Sequence, residues 1–460
     1  MKRTLVPPGN IWPFVLLTFL FFAWAIPNNL TDTMLAAFKR ILSLTDSKTA
    51  WIQVSCYLLG YGCFAIPGAL FIKKFSYKSG VLLGLSLYVA GAFLFYPSML
   101  ATGANATIGF LMFLFALVIL FAGLSILETS TNSYVYVLGD SESATARLNF
   151  AQSFNPFGAI TGVIISQVFV LSQLNIMTAS QRALLAPEEL RNIQRMELSA
   201  VTNTYLVVGA VMFVLLLMIR FTKMPYRKED NKTIDLAGTL KRLIANKNYV
   251  WAVIAQFFYV GAQIAVWSFT IRYVMDQLKL NEIVVGLSGP EQIISRLRNI
   301  EPVAAGFYNL VQNAGITSLL PRTPEQAGAT YYIIALVMFV IFRFVCTFLM
   351  RFIKPHHILS TLAILAFICC ILTIYVGGFV GIYALVMISA CMSLMFPTIY
   401  GMGIRGLGDD TKIGGSGMVM AIAGAAVLTQ IQGIVSDQSG DITLAYWVPA
   451  IAFLIIAYYS

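Results

Sequence analysis

Two carboxyl groups stand where carboxyl groups are costly. Of the chain's 20 acidic residues, only Asp32 and Glu128 fall well inside long apolar runs. At a helical rise of 1.5 Å per residue, Asp32 lies about 10 Å from the basic residue Lys39 that follows it, and Glu128 about 18 Å from Asp140. Loss of water disfavours a charged carboxylate. A carboxyl at such depth can therefore take up and release a proton near neutral pH, which a proton-coupling site requires. Each could instead only hydrogen-bond a neighbouring helix. Arg343, about midway along another apolar run, needs a cavity, a carboxylate or carbonyl ligands, or serves as a structural clamp.

Amides and hydroxyls gather in four of the same runs. They are Asn28, Asn29 and Thr31; Thr129 to Asn132; Gln152, Ser153 and Asn155; and Gln256, Tyr259, Gln263 and Trp267. An amide offers a donor and an acceptor together, which suits the vicinal hydroxyls of a sugar. Trp267 and Tyr259 offer flat apolar faces to the C–H side of a pyranose. Gln256, Tyr259 and Gln263 fall at i, i+3 and i+7, so one helical stripe presents all three. Any one of these amides could also join two membrane helices. Their concentration in four runs points to a shared cavity.

The elements that must position these groups are membrane helices. Of 460 residues, 58% are hydrophobic and 11% charged, with mean hydropathy +0.80. A soluble domain carries about 25% charged residues, so the composition argues against a soluble enzyme, a secreted disulfide domain and a disordered chain. A helix needs about 20 apolar residues to span. Twelve such runs are expected, over 11–38, 49–72, 80–98, 107–137, 150–172, 200–221, 249–275, 329–352, 356–376, 378–404, 414–435 and 442–459. With the N-terminus in the cytoplasm, 17 loop Lys and Arg fall inside and 10 outside, the bias expected of cytoplasmic loops. Both termini are thus expected in the cytoplasm. The net charge of +10 is accounted for without a nucleic-acid partner.

The predicted fold is all-α, twelve transmembrane helices in two six-helix halves. The expected divisions are 1–222, a cytoplasmic linker 223–248 around Arg227-Lys228-Glu229-Asp230, and 249–460. Phe21-Phe22 in span one resembles Phe257-Phe258 in span seven, and Leu138-Gly139-Asp140 resembles Leu407-Gly408-Asp409. The spacing of the second match exceeds that of the first, as an insertion in the second half requires. Residues 276–328 form that insertion, outside the membrane, with 290–311 as a candidate amphipathic helix. It reads as a surface cap or as a gating lid. Pro27 and Pro397 are expected to kink or unwind their helices beside the cavity.

Other chemistries find no support. The chain has no Gly-Lys-Ser/Thr phosphate loop, and Gly414-Gly415-Ser416-Gly417 suits close helix contact. The six cysteines lie in apolar runs and read as reduced packing residues. His356 and His357 are adjacent and do not share a helix face. No cofactor and no metal are expected.

At these residues the chain resembles the fucose permease family of sugar–proton symporters, within the major facilitator superfamily. The resemblance rests on Asn28-Asn29-Leu30-Thr31-Asp32, Leu127-Glu128-Thr129, the 147–155 stretch Arg-Leu-Asn-Phe-Ala-Gln-Ser-Phe-Asn, and the 255–263 stretch Ala-Gln-Phe-Phe-Tyr-Val-Gly-Ala-Gln. Phe396-Pro397-Thr398-Ile399 and 407–412 also match. The resemblance implies the major facilitator fold and a monosaccharide importer working by alternating access. Asp32 and Glu128 would serve proton coupling and sugar binding, Gln152 and Asn155 would lie near the sugar, and Arg343 would match a family arginine. L-fucose or a related hexose is the implied substrate, and glucose and galactose are also carried in this family. A monomer in the inner (plasma) membrane is expected. Thr31, Ser133 and Ile72 depart from residues the family or superfamily prefers at those positions, and the 276–328 insertion is much longer than in fucose permease itself. A transport-dead sugar sensor would keep the binding residues without the cycle, and the intact Asp32 and Glu128 argue against it. A drug exporter of the same fold would want an apolar cavity, with which the amide-rich lining disagrees.

Overall fold

The protein was analysed as a computed structural model. It describes residues 6–42, 46–139, 147, 150–175, 177, 181–182, 184–225, 236–280, 302–315, 320–321, 323–350, 352–407 and 410–460. Its regular structure is helical throughout these residues. Eleven helices are long and apolar enough to cross a membrane, over 11–31, 51–72, 77–102, 107–135, 150–173, 188–221, 247–277, 324–346, 355–375, 378–403 and 413–439. A shorter apolar helix, Leu444–Tyr459, follows them. These are spans one to twelve. Consecutive spans run antiparallel, so the described ends of the chain lie on one side, with the link that joins spans six and seven. We call this the linker end and the opposite side the insertion end.

Several spans begin where caps rather than hydropathy place them. Span six is part of a helix over Pro187–Phe221, not 200–221 as expected. Pro187 fits the first turn, where its missing N–H costs nothing, and Glu188 and Glu189 favour the positive end of the helix dipole. At about 1.5 Å per residue this helix is far longer than a hydrocarbon core of about 30 Å. Its first turns project from the insertion end, where Arg182 and Glu197 form a buried pair of 2.5 Å. Span eight likewise starts early, as Pro324–Leu349, because the Thr323 side chain accepts from the Gln326 N–H at 3.2 Å. Arg343 is therefore nearer the linker end than the midpoint. Within the insertion a helix covers Pro302–Asn313, and 281–301 lie outside the described residues.

The prolines behave unequally. Span one stays continuous through Pro27, as Ile11–Ile41, so no unwinding occurs there. Span ten does break, into Gly378–Met392 and Met395–Gly403, just before Pro397. Span two holds a run of wide π-type turns, Val54–Gly62, between Asp46–Gln53 and Cys63–Lys74.

Close crossings hold the cavity walls together, and they repeat between the halves. A Cβ added to Gly158 of span five would fall on the Phe22 carbonyl of span one, and one added to Gly424 of span eleven on the Phe257 carbonyl of span seven. The two phenylalanine pairs thus mark corresponding crossings, the first helix of each half against the fifth. Where Gly414–Gly417 opens span eleven, the Tyr249 hydroxyl donates to the Gly414 carbonyl at 2.9 Å. A helix over Leu236–Ala245 lies in the link between halves. Arg242 on it donates to Asp410 at 2.7 and 2.8 Å, and these bonds hold the Asp410 carboxyl below the usual aspartate range.

Gly158→Val should lower the melting temperature in detergent, since overpacking costs about 1–3 kcal/mol. Gly306→Ala, where a Cβ meets nothing within 4 Å, serves as the control. Equal melting of both variants would show that the crossing between spans one and five is slack.

Candidate functional site

A cavity of about 140 Å³ lies between the halves. Nine of the residues singled out in the sequence line it: Asn28, Asn29, Glu128, Gln152, Asn155, Tyr259, Gln263, Trp267 and Arg343. Gln256 does not. It is buried, and neither end of its amide has a hydrogen-bond partner among the described residues. It shares a helix face with Gln263, but seven residues at 1.5 Å each set it about 10 Å along the helix, beyond the cavity lining. Asp32 lies within span one, and its side chain is outside the described residues.

The two walls differ chemically. On the first half, the Tyr61 hydroxyl donates to Glu128 Oε2 at 3.0 Å. Gln152 Nε2 donates to Asn132 Oδ1 at 3.0 Å, and Asn155 Nδ2 to the Phe21 carbonyl at 3.3 Å. These bonds orient both amides and leave each side-chain carbonyl with accepting capacity. Asn29 is more fully committed: its Nδ2 donates to the Ala25 carbonyl at 3.0 Å and its Oδ1 accepts from Tyr332 at 3.2 Å. The second half contributes Tyr259, Trp267, Phe339 and Phe396, beside the amide of Gln263 and the guanidinium of Arg343. Trp267 packs edge-on to Phe339 with centroids 5.3 Å apart and donates Nε1–H to Ser389 at 3.2 Å. Tyr259 lies 6.2 Å from Phe396.

The break in span ten supplies ligands for the charged and phenolic groups of this wall. A proline has no N–H to give to the carbonyl four residues earlier, so Pro397 leaves the Ser393 carbonyl without its helical donor. Arg343 Nε donates to that oxygen at 3.2 Å, and the Tyr259 hydroxyl donates to the adjacent Met392 carbonyl at 3.0 Å. The guanidinium lies 5.4 Å from the Phe339 ring centroid. Arg343 thus has a carbonyl ligand, lines the cavity and ties span eight to span ten.

Hydrogen bonds between the halves close the cavity toward the insertion end. Gln326 Nε2 donates to the Gln167 carbonyl at 3.0 Å, and Gln167 Nε2 to the Gln326 carbonyl at 3.4 Å. Gln53 Nε2 donates to Ser268 at 2.9 Å. The Tyr332–Asn29 bond crosses at the same side of the cavity.

The sequence reading missed Tyr57, Tyr61, Phe21, Trp24, Phe339 and Phe396 as lining residues. Tyr57 and Tyr61, one turn apart in an apolar span, carry polar tips that need partners, which is a usable signal. The wide turns that aim both inward have no such signal.

Twelve apolar helices in two crossed sets of six, enclosing a polar midplane cavity, define a membrane carrier. Residues 14–428 match the Major Facilitator Superfamily profile, and the chain belongs to that superfamily, as a multi-pass transporter and not an enzyme. It is 37% identical to the L-fucose-proton symporter of Escherichia coli (strain K12), over 97% of this chain and 92% of that one. It is 35% identical to the L-fucose-proton symporter of Haemophilus influenzae, over 100% of this chain and 98% of that one. A solved structure of a major facilitator superfamily transporter, FucP, in the outward conformation is 36% identical with TM-score 0.70, covering 98% of each chain.

Arg343→Met keeps the stem of the side chain and removes the donor to the Ser393 carbonyl. An unpaired buried carbonyl costs about 1–3 kcal/mol, so this variant should melt earlier, followed by intrinsic tryptophan fluorescence. Wild-type melting would mean that another donor takes over the broken turn.

Proposed function

We propose that the chain is a proton-coupled importer of a monosaccharide, L-fucose or a related hexose, working by alternating access between halves 1–222 and 249–460. The observation that carries this reading is the mixed lining of the cavity: a carboxyl and amides, gathered mainly on the first half, together with aromatic faces from both halves. A pyranose has hydroxyls for the first and C–H faces for the second. Two relatives, 37% and 35% identical to this chain, are L-fucose-proton symporters, which supports the substrate class.

In this reading Gln152, Asn155, Asn28 and Gln263 bind hydroxyls, Trp267 and Tyr259 pack on the ring, and Asn29 ties the halves together beside the site. Arg343 sets the shape of the opposite wall. Asp32 and Glu128 exchange the proton, whose binding favours the sugar-bound state. Linkage requires sugar to raise proton affinity by the same factor. The chain works as a monomer in the inner membrane, with its linker end in the cytoplasm, where most of the loop Lys and Arg then lie. The glutamine clasp then shuts the outer mouth.

The test is uptake of labelled hexoses into proteoliposomes with and without an imposed pH gradient. Concentrative uptake should require the gradient, and binding without uptake would make the protein a sensor. Asp32→Asn should abolish gradient-driven accumulation, and normal accumulation would remove Asp32 from the coupling path. Glu128→Gln mimics a permanently protonated carboxyl. Counterflow should survive in it while gradient-driven accumulation fails, whereas equal large losses of both would assign Glu128 to sugar binding or structure.

Alanine at Gln152, Asn155 or Gln263 should weaken sugar binding by roughly 2- to 100-fold, since a lost or orphaned hydrogen bond costs about 0.5–3 kcal/mol. The loss should differ between sugar epimers in calorimetry. Wild-type affinity and epimer preference in all three variants would place the sugar elsewhere.

A further inference from the structure

Glu128 meets a single phenol, and that phenol is fixed from several sides. Tyr61 stands in the wide-turn stretch Val54–Gly62, a geometry that gathers at functional sites. Its ring is 1% exposed, stacked on Tyr57 with centroids 5.9 Å apart and edge-on to Phe121 at 6.0 Å. Ser125 of span four donates to the Tyr61 carbonyl at 3.1 Å. A Cβ at the neighbouring Gly60 would strike Phe121, and Gly62 packs against Ala423 of the other half. The hydroxyl is therefore held in place between two groups. It donates to Glu128 Oε2 at 3.0 Å, and the Asn28 side chain stands at the same hydroxyl. Asn28 Oδ1 is buried with no hydrogen-bond partner among the described residues. All three side chains line the cavity.

A carboxylate only accepts hydrogen bonds, a carboxylic acid can donate, and a phenol does one of each. With Glu128 ionised, Tyr61 donates to it and keeps its own lone pairs free for the N–H of the Asn28 amide beside it. With Glu128 protonated, the carboxyl donates to Tyr61, and the phenolic hydrogen needs another acceptor. Asn28 Oδ1 is an unfilled acceptor on the amide beside that hydroxyl, and the amide turns over to meet it. Resting on the reading of Glu128 as a proton site, we propose that Tyr61 is a positioning residue that relays the protonation state of Glu128 to Asn28. The amide then offers the cavity a different end in each state, and the proton changes what the sugar meets without touching it.

Among the described side chains, the other titratable or charged groups around this trio are Tyr57 and Cys56 on span two, Tyr259 on span seven and Arg343 on span eight; Asp32 follows Asn28 by four residues on span one. Phenols and thiols ordinarily titrate near about 10 and 8.5, and arginine stays charged, so among the described side chains Glu128 is the carboxyl through which pH acts on the trio.

The test is calorimetric affinity for L-fucose at pH 6 and pH 8 in purified wild type, Tyr61→Phe, Glu128→Gln and the double variant. Wild type should bind about tenfold or more tightly at pH 6, as proton–sugar linkage requires. Tyr61→Phe keeps the ring and should compress that ratio to within about threefold, and it should add nothing to the ratio in the Glu128→Gln background. Asn28→Leu, which removes the other end of the relay, should flatten the ratio likewise and serves if Tyr61→Phe does not fold. A wild-type pH ratio in Tyr61→Phe, including one reached through an equal loss at both pH values, overturns the proposal. A pH ratio shared by wild type and Glu128→Gln overturns the proton-site reading itself, and the relay with it, without any change at Tyr61.

Discussion

In a bilayer the backbone has no water to fall back on, and every polar group displaced from helical bonding must find a partner within the protein. Pro397 creates that need at the midplane by withholding an N–H from the Ser393 carbonyl. The broken turn exposes two carbonyls, and the groups that answer them, Arg343 and Tyr259, come from spans eight and seven. Three helices of the second half are tied at this point. The aromatic wall of the cavity, with Phe339 and Phe396 beside those groups, is built around that tie. An arginine at this depth would be costly alone. Next to a carbonyl and an aromatic face, and open to a polar cavity, it becomes part of the wall.

The first half meets the same constraint with side chains instead of a broken helix. Its carboxyl, Glu128, is met by a phenol held on wide helical turns, and its amides lean on neighbouring helices through one end. The unused ends face the cavity. The site is thus a set of polar groups each half-satisfied by the protein, with remaining capacity that only a polar guest can fill. Aromatic rings from both halves discriminate by shape and apolar contact. A guest must offer both polar groups and apolar faces.

The crossings that hold each wall together are made of backbone. Gly158 lets span five rest on the carbonyls of span one, and Gly424 does the same for spans eleven and seven. Close backbone approach leaves little room for local adjustment, so each half holds together as it moves. The amide clasp of Gln167 and Gln326 and the Gln53–Ser268 bond join the halves through side chains that can let go and be rehydrated. These side-chain bonds between the halves are exchangeable, as rocking about a midplane site requires.

Hydropathy and charge in the sequence determined the helical class, the number of apolar spans and the duplication of six, because the bilayer thickness sets the length of each apolar run. The depth of Glu128 and the clustering of amides marked most of the cavity lining, because polar residues are rare in such runs. Helix ends were less legible: Pro187 and Thr323 start their helices in polar stretches that hydropathy assigns to loops. Tyr57 and Tyr61 escaped notice because α-helical spacing does not reveal the wide turns of span two. Tertiary packing alone decided that the cavity reaches Tyr259 and Gln263 but stops short of Gln256 on the same stripe, that Asn29 is consumed by Tyr332, and that span one runs unbroken through Pro27 while Pro397 follows a break. A sequence fixes which groups must be satisfied, but the partner that satisfies each one comes from a distant helix, and only the fold brings it within 3 Å or so.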